Sequence, residues 1–267
     1  MSTNILAKIV EHKLIEVAER KKQISVAELE AMPLFTGQGY SLKSNLLNPS
    51  LTGIIAEFKR QSPSKGVIND VASVAEVSKA YTQFGAAGIS VLTDKHFFGG
   101  SIDDLSKAVQ NPIPVLRKEF IVDEFQLLEA KAYGASVILL IAACLTPVET
   151  DAFATFAKSI GLEVLLEIHD ANELGHISDA VDFVGINNRS LKSFEVNIEH
   201  SLELKNQLPK EKLSIAESGI YSVDTFKLLK KEGFNGFLMG EYFMKESNPA
   251  LAFETFVTSI KTDNNAD

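Results

Sequence analysis

The chain has a single cysteine, no tryptophan and no surplus of basic residues. One thiol, Cys144, excludes an internal disulfide and any cysteine-built zinc site. With 26 Lys and Arg against 35 Asp and Glu, the formal net charge is −9. That balance argues against a nonspecific nucleic-acid partner, which needs clustered cations. It leaves room for a small anionic substrate, because the field in a cleft is set locally. Long apolar runs are missing as well: the longest, Val137 to Leu145, is far too short to span a bilayer. Lys8, Glu11 and Lys13 fall where a secretory leader has to be apolar, so a soluble, cytoplasmic protein without a membrane partner is expected.

What is present is alternation. At 267 residues the chain is long enough for one large α/β domain or two small ones. From about residue 52, short apolar runs rich in β-branched residues recur: 53–58, 88–92, 113–118, 136–141, 162–168, 182–187, 212–217 and 235–239. Amphipathic stretches separate them, among them 74–84, 124–133, 147–160, 223–231 and 250–260. The joints repeat: Gly85, Gly134, Gly161 and Gly233 each stand just past a helical pattern and shortly before a strand, where a left-handed residue stops a helix. Strands buried on both faces and linked by helices form parallel sheets. Eight such units fit a closed (β/α)8 TIM barrel. An open doubly wound sheet is the alternative, weakened because no G-x-G-x-x-G follows the first strand. Residues 1–48 stand outside the repeat. Ile5, Leu6, Ile9, Val10, Leu14 and Val17 trace one helical face, and Ser25–Glu28 reads as a capping box. Pro33, Gly37, Gly39, Asn48 and Pro49 mark breaks and loops. A helical extension packed on a barrel of residues 49–267 is therefore predicted.

In such a barrel the chemistry gathers at the C-terminal strand ends. There the sequence has Glu57 and Lys59, then Lys118, Glu167, Asn187 with Arg189, Glu217 with Ser218 and Gly219, and finally Gly240. Glu57 and Lys59 are two apart in a strand and so share its inward face. A lone charge at a strand end is most often a solvated loop residue. Convergence of five strand ends on titratable groups points instead to general acids and bases that shift one another's pKa. Ser218, Gly219, Gly240 and Glu241 follow the seventh and eighth strands, a common position for a phosphate site. Of these, Glu241 is expected to serve through its backbone only, with its carboxylate turned away. His12, His96, His169, His176 and His200 lack metal-ligand spacing and read as solvated or packing residues, so no metal is expected.

The chain resembles the indole-3-glycerol-phosphate synthase family over nearly its whole length. The resemblance is carried by Ile55–Ser64, Leu92–Asp94 with Phe97–Ser101, Leu116–Phe120, Leu165–His169, Gly185–Arg189 and Ala216–Ile220. Glu119, Ser190 and Ser193 depart mildly from the family pattern. The resemblance implies conversion of 1-(2-carboxyphenylamino)-1-deoxyribulose 5-phosphate into indole-3-glycerol phosphate, with loss of carbon dioxide and water and without cofactor. It implies Lys118 as general acid in ring closure, Lys59 with Arg189 on the substrate carboxylate, and Glu167 as base in dehydration. Glu57 orients a lysine, and Asn187 and Glu217 hold sugar hydroxyls or organise the charged ring. Ser62, Ser218, Gly219 and Gly240 take the phosphate; Phe98, Phe120 and Leu191 take the anthranilate ring. The expected partner is one small phosphorylated molecule, with the chain a monomer or weak homodimer. A Schiff-base aldolase and a non-catalytic phosphometabolite-binding barrel are the rivals.

Overall fold

In the computed structural model, which describes residues 5–190 and 195–262, the eight apolar runs become eight parallel strands closed into a barrel. They are β1 (Ile54–Phe58), β2 (Gly88–Leu92), β3 (Val115–Lys118), β4 (Val137–Ile141), β5 (Glu163–Ile168), β6 (Phe183–Asn187), β7 (Leu213–Glu217) and β8 (Gly236–Met239). Each pairs with its successor, and β8 closes on β1 with Ile54 opposite Phe237. Every C-terminal end falls where the sequence predicts it. The N-terminal ends start one or two residues late in most strands, for a chemical reason. Asp182 and Asn235 accept from the backbone N–H of Val164 and Ser214 through their side chains, at 2.9 Å each, so the ladder begins after them.

Alternation sorts the strand residues into two layers. Ile54, Ala56 and Phe58 face outward to the helices, while Ile55, Leu116, Leu139, Leu165, Phe183, Ile215 and Leu238 fill the barrel. No helix among the described residues is long and apolar enough to cross a membrane.

The extension holds α1 (Ile5–Gln23), α2 (Val26–Glu30) and α3 (Leu42–Leu46). The capping box is present: Ser25 Oγ accepts from the Glu28 N–H at 3.3 Å, and the Ser25 N–H donates to Glu28 Oε2 at 2.8 Å. The buried face of α1 differs from the predicted stripe. Leu14 is 52% exposed, and its place is taken by Lys13, which is fully buried with Leu6, Ile9 and Val17. Lys13 Nζ lies 2.8, 2.9 and 3.0 Å from Glu16, Asp94 and Glu119, and these carboxylates offset the desolvation of its ammonium. Helix α3 lies where the sequence suggested only loops. Glu163 accepts from the Leu42 N–H at 2.7 Å and from Ser41 Oγ at 2.6 Å, and Leu42 enters the inner layer as a plug.

Between strands run α4 (Val74–Gln83), α5 (Ile102–Ala108), α6 (Phe125–Ala132), α7 (Pro147–Ser159), α8 (Ile198–Lys205) and α9 (Val223–Lys231); α10 (Glu241–Met244) and α11 (Pro249–Thr262) follow β8. A 3-10 turn, Ala171–His176, replaces an α-helix between β5 and β6. The joint glycines at 85, 134, 161 and 233 all have φ between 77° and 88°, as helix stops require.

Candidate active site

The inward rows of the strands run directly into a polar rim. Glu57 and Lys59 continue the row of Ile55, Lys118 that of Leu116, Glu167 that of Leu165, Asn187 that of Gly185, and Glu217 that of Ile215. They meet around a cavity of about 190 Å³. Ser62, Phe98, Phe120, Arg189, Ser218, Gly219, Gly240 and Glu241 also line it. Of the predicted residues only Leu191 lies outside the described ones.

Lys118 sits at the centre of the charge. Its Nζ is 2.5 Å from Glu217 Oε2 and 3.2 Å from Glu167 Oε2. Burial opposes a charged lysine, yet Glu217, Glu167 and Glu57 together hold its pKa well above the ordinary value. The carboxylates respond differently. Burial would raise the Glu167 pKa, but Lys118 and His169 hold it well below the usual range, and Asn187 Nδ2 donates to its Oε1 at 3.1 Å. Glu217 goes the other way: burial, reinforced by Glu167, pushes its carboxyl up to about 7 despite Lys118. Its Oε1 is buried without a hydrogen-bond partner among the described residues. Room for that atom comes from Gly185, where a Cβ would stand 2.0 Å from it. Glu57 pairs with Lys59 at 2.9 Å and accepts from Ser90 Oγ at 3.2 Å. Burial again works against its charge, and Lys59 and Lys118 overcome it.

One wall is apolar. Phe98 and Phe120 stand with ring centroids 5.8 Å apart, and Ile5, Leu6 and Ile9 of α1 reach the same cavity. Asp94 Oδ1 accepts from the Phe98 N–H at 3.2 Å, and Glu119 Oε1 from the Phe120 N–H at 2.9 Å, so both rings are fixed through their backbones. Glu119, a departure from the family pattern, thus turns toward Lys13 and the extension. On the opposite rim Ser218 and Gly219 are successive left-handed residues, φ 65° and 74°. A non-glycine residue holds that conformation only when its surroundings fix it. Asn188 does so, donating from Nδ2 to the Ser218 carbonyl at 2.6 Å and from its backbone N–H to the Glu217 carbonyl at 2.8 Å.

Two expectations are corrected. The Glu241 carboxylate does not turn away: it lies 3.3 Å from Arg189 and 3.7 Å from Lys65, because those cations offer it partners at the rim. His169 is neither solvated nor a simple packing residue. Its Nε2 is 3.3 Å from Glu167 Oε1 and its Nδ1 is 3.6 Å from Glu173 Oε2. Sequence reasoning also missed Ser90, Asn188 and the α1 residues at the cavity. Strand parity marks Ser90 no differently from its apolar neighbours, whereas the tandem Asn187-Asn188 was a usable signal. No group of three or more His, Cys, Asp or Glu placed to hold a metal ion occurs among the described residues.

Comparison with known proteins places the chain in a family. Residues 6–256 match the family model described as indole-3-glycerol phosphate synthase. A Bacteroides thetaiotaomicron protein of that name is 43% identical over 261 residues, covering 97% of this chain and 99% of its own. One from Bordetella pertussis is 39% identical, covering 95% and 99%. Among solved structures, a mutant tryptophan synthase alpha-subunit from Pyrococcus furiosus aligns with a TM-score of 0.59 at 14% identity, covering 78% of this chain and 97% of that one, and bears on the fold alone. On sequence match across nearly its full length, the chain belongs to the indole-3-glycerol phosphate synthase family of carboxy-lyases.

Proposed function

We propose that the chain converts 1-(2-carboxyphenylamino)-1-deoxyribulose 5-phosphate into indole-3-glycerol phosphate, releasing carbon dioxide and water. The observation that carries this reading is Lys118, a part-buried ammonium held between two carboxylates at a cavity with one apolar wall. Ring closure joins an aromatic carbon to the ribulose carbonyl carbon, and the carbonyl oxygen must gain a proton. Lys118 polarises that oxygen and donates to it. Decarboxylation then restores the benzene ring, with Lys59 and Arg189 holding the carboxylate until it leaves. In dehydration Glu167 takes the amine proton as hydroxide departs, and a lysine protonates the leaving oxygen. Its depressed pKa keeps Glu167 ionised for that task.

Ser62, Ser218, Gly219 and Gly240 serve the phosphate; Gly219 holds its left-handed conformation with Val196 packed where a Cβ would stand. Phe98 and Phe120 flank the anthranilate ring. Asn187 orients Glu167, and Glu57 orients Lys59. A Schiff-base route needs a neutral amine, and three carboxylates oppose that at Lys118. The test is direct. Because the chain has no tryptophan, newly formed indole fluoresces over tyrosine alone. Purified protein mixed with the substrate should develop indole fluorescence with matching carbon dioxide release. Absence of both, or a borohydride-trapped lysine adduct, overturns the reading.

A further inference from the structure

His169 falls one residue beyond β5 on the same inward row as Leu165 and Glu167. Its ring is 10% exposed and lies between two carboxylates, Nε2 toward Glu167 and Nδ1 toward Glu173. Neither ring nitrogen has a hydrogen-bond partner among the described residues, so a neutral ring would be buried with its polar atoms unsatisfied and nothing to offset them. The doubly protonated ring meets both carboxylates with positive charge. Each contact, at 3.3 and 3.6 Å, is an ion pair rather than a good hydrogen bond. The surroundings are fixed. Glu173 Oε2 accepts from the His169 backbone N–H at 2.6 Å, and the His169 carbonyl is 3.1 Å from His200 Nε2.

We infer that His169 is a positioning residue for the site: an imidazolium clamped by Glu173 that fixes the orientation of Glu167 from behind and keeps it ionised. This rests on the reading of Glu167 as the dehydration base. The two oxygens of Glu167 are then divided. Oε1 is held by His169 and Asn187, and Oε2 faces Lys118. The titratable groups facing the ring are Glu167 on β5 and Glu173 on the 3-10 turn; Cys144 after β4 feels both glutamates, and His200 on α8 reaches the His169 backbone carbonyl rather than the ring. Burial disfavours the charged ring, but the two glutamates outweigh it and raise the imidazole pKa to about 10.

Nitrogen-15 NMR of the histidine-labelled full chain tests the charge, with His169 assigned by its disappearance in His169→Asn. Both ring nitrogens should keep imidazolium shifts at pH 7 and 8, and Glu173→Gln should bring the titration to lower pH. Kinetics test the consequence. His169→Asn should lower kcat on the order of tenfold, a smaller loss than removing the base itself, with KM nearly unchanged. His169→Lys, which restores a charge beside Glu167, should recover most of the lost kcat, whereas His169→Gln, polar but neutral, should stay as slow as His169→Asn. A neutral His169 at pH 7, or equal kcat in the Lys and Gln variants, overturns the inference. Failure of the underlying reading has a different signature: Glu167→Gln that still dehydrates normally removes the base, whatever the charge on His169.

Discussion

Two buried charge clusters sit a few side chains apart at the top of the barrel, and they are built to opposite ends. In the first, Lys13 binds Asp94, Glu119 and Glu16, while Arg117 reaches Glu129 at 3.2 Å and Arg20 pairs with the same glutamate. Each carboxylate there has a cation in contact, Lys13, Asp94 and Glu129 are fully buried, and of these groups Glu119 alone lines the cavity. In the second, the two carboxylates that share Lys118 are driven in opposite directions, Glu167 down and Glu217 up, and the groups face the cavity. A buried cluster turned away from the cavity is costly to break and has little chemistry to offer. One that opens on the cavity with carboxyls of unlike pKa holds the protonation differences that catalysis needs. Burial and pairing alone therefore do not mark a site; carboxyls of opposite tendency around one ammonium do. The clusters touch through Asp94 and Glu119, which fix Phe98 and Phe120.

Substitutions should separate the two. Lys118→Ala should lower turnover by about 10²–10⁴-fold while the melting temperature stays near that of wild type; equal loss of both would make Lys118 structural. Lys13→Met should do the reverse. Leaving Asp94 and Glu119 buried without their cation should cost about 3–5 kcal/mol in chemical denaturation. Turnover per folded molecule should persist, with KM raised more than kcat is lowered. Gly185→Ala should displace the Glu217 carboxylate and cut turnover on the order of 10- to 100-fold; unaltered kinetics would show that Glu217 has no demanding position to keep.

A smaller effect should appear with pH. Folded Glu217 holds its proton up to about 7, whereas an ordinary glutamate releases it near 4.5. Its contribution to stability is therefore complete below about 4.5 and is lost as pH rises through 7. Glu217→Gln should flatten the slope of unfolding free energy across that window, and an unchanged slope would assign it to other groups.

Much of the catalytic cluster was legible in the sequence because strand parity is a strict rule. Once β1, β3, β5, β6 and β7 are placed, Glu57, Lys59, Lys118, Glu167, Asn187 and Glu217 have to face inward. The structural cluster was not legible. Lys13 stands four residues from both Ile9 and Val17, so helical phase did put it on the buried face, yet a stripe drawn by apolarity chose Leu14. Its partners Asp94 and Glu119 lie far off in sequence, where no periodicity connects them. His169 was missed because half of its setting comes from Glu173 in a 3-10 turn, which has neither strand nor α-helical phase. Helix α3 was hidden by its length: five residues are too few to show a period.

The central claim is that the unequal groups around Lys118 divide the steps between them. It is tested most directly by rapid chemical quench of Glu167→Gln with the carboxyphenylamino substrate. The ring-closed, decarboxylated but undehydrated intermediate should accumulate, with carbon dioxide released ahead of indole. Carbon dioxide and indole appearing together at the wild-type ratio, with no intermediate detected, would contradict it.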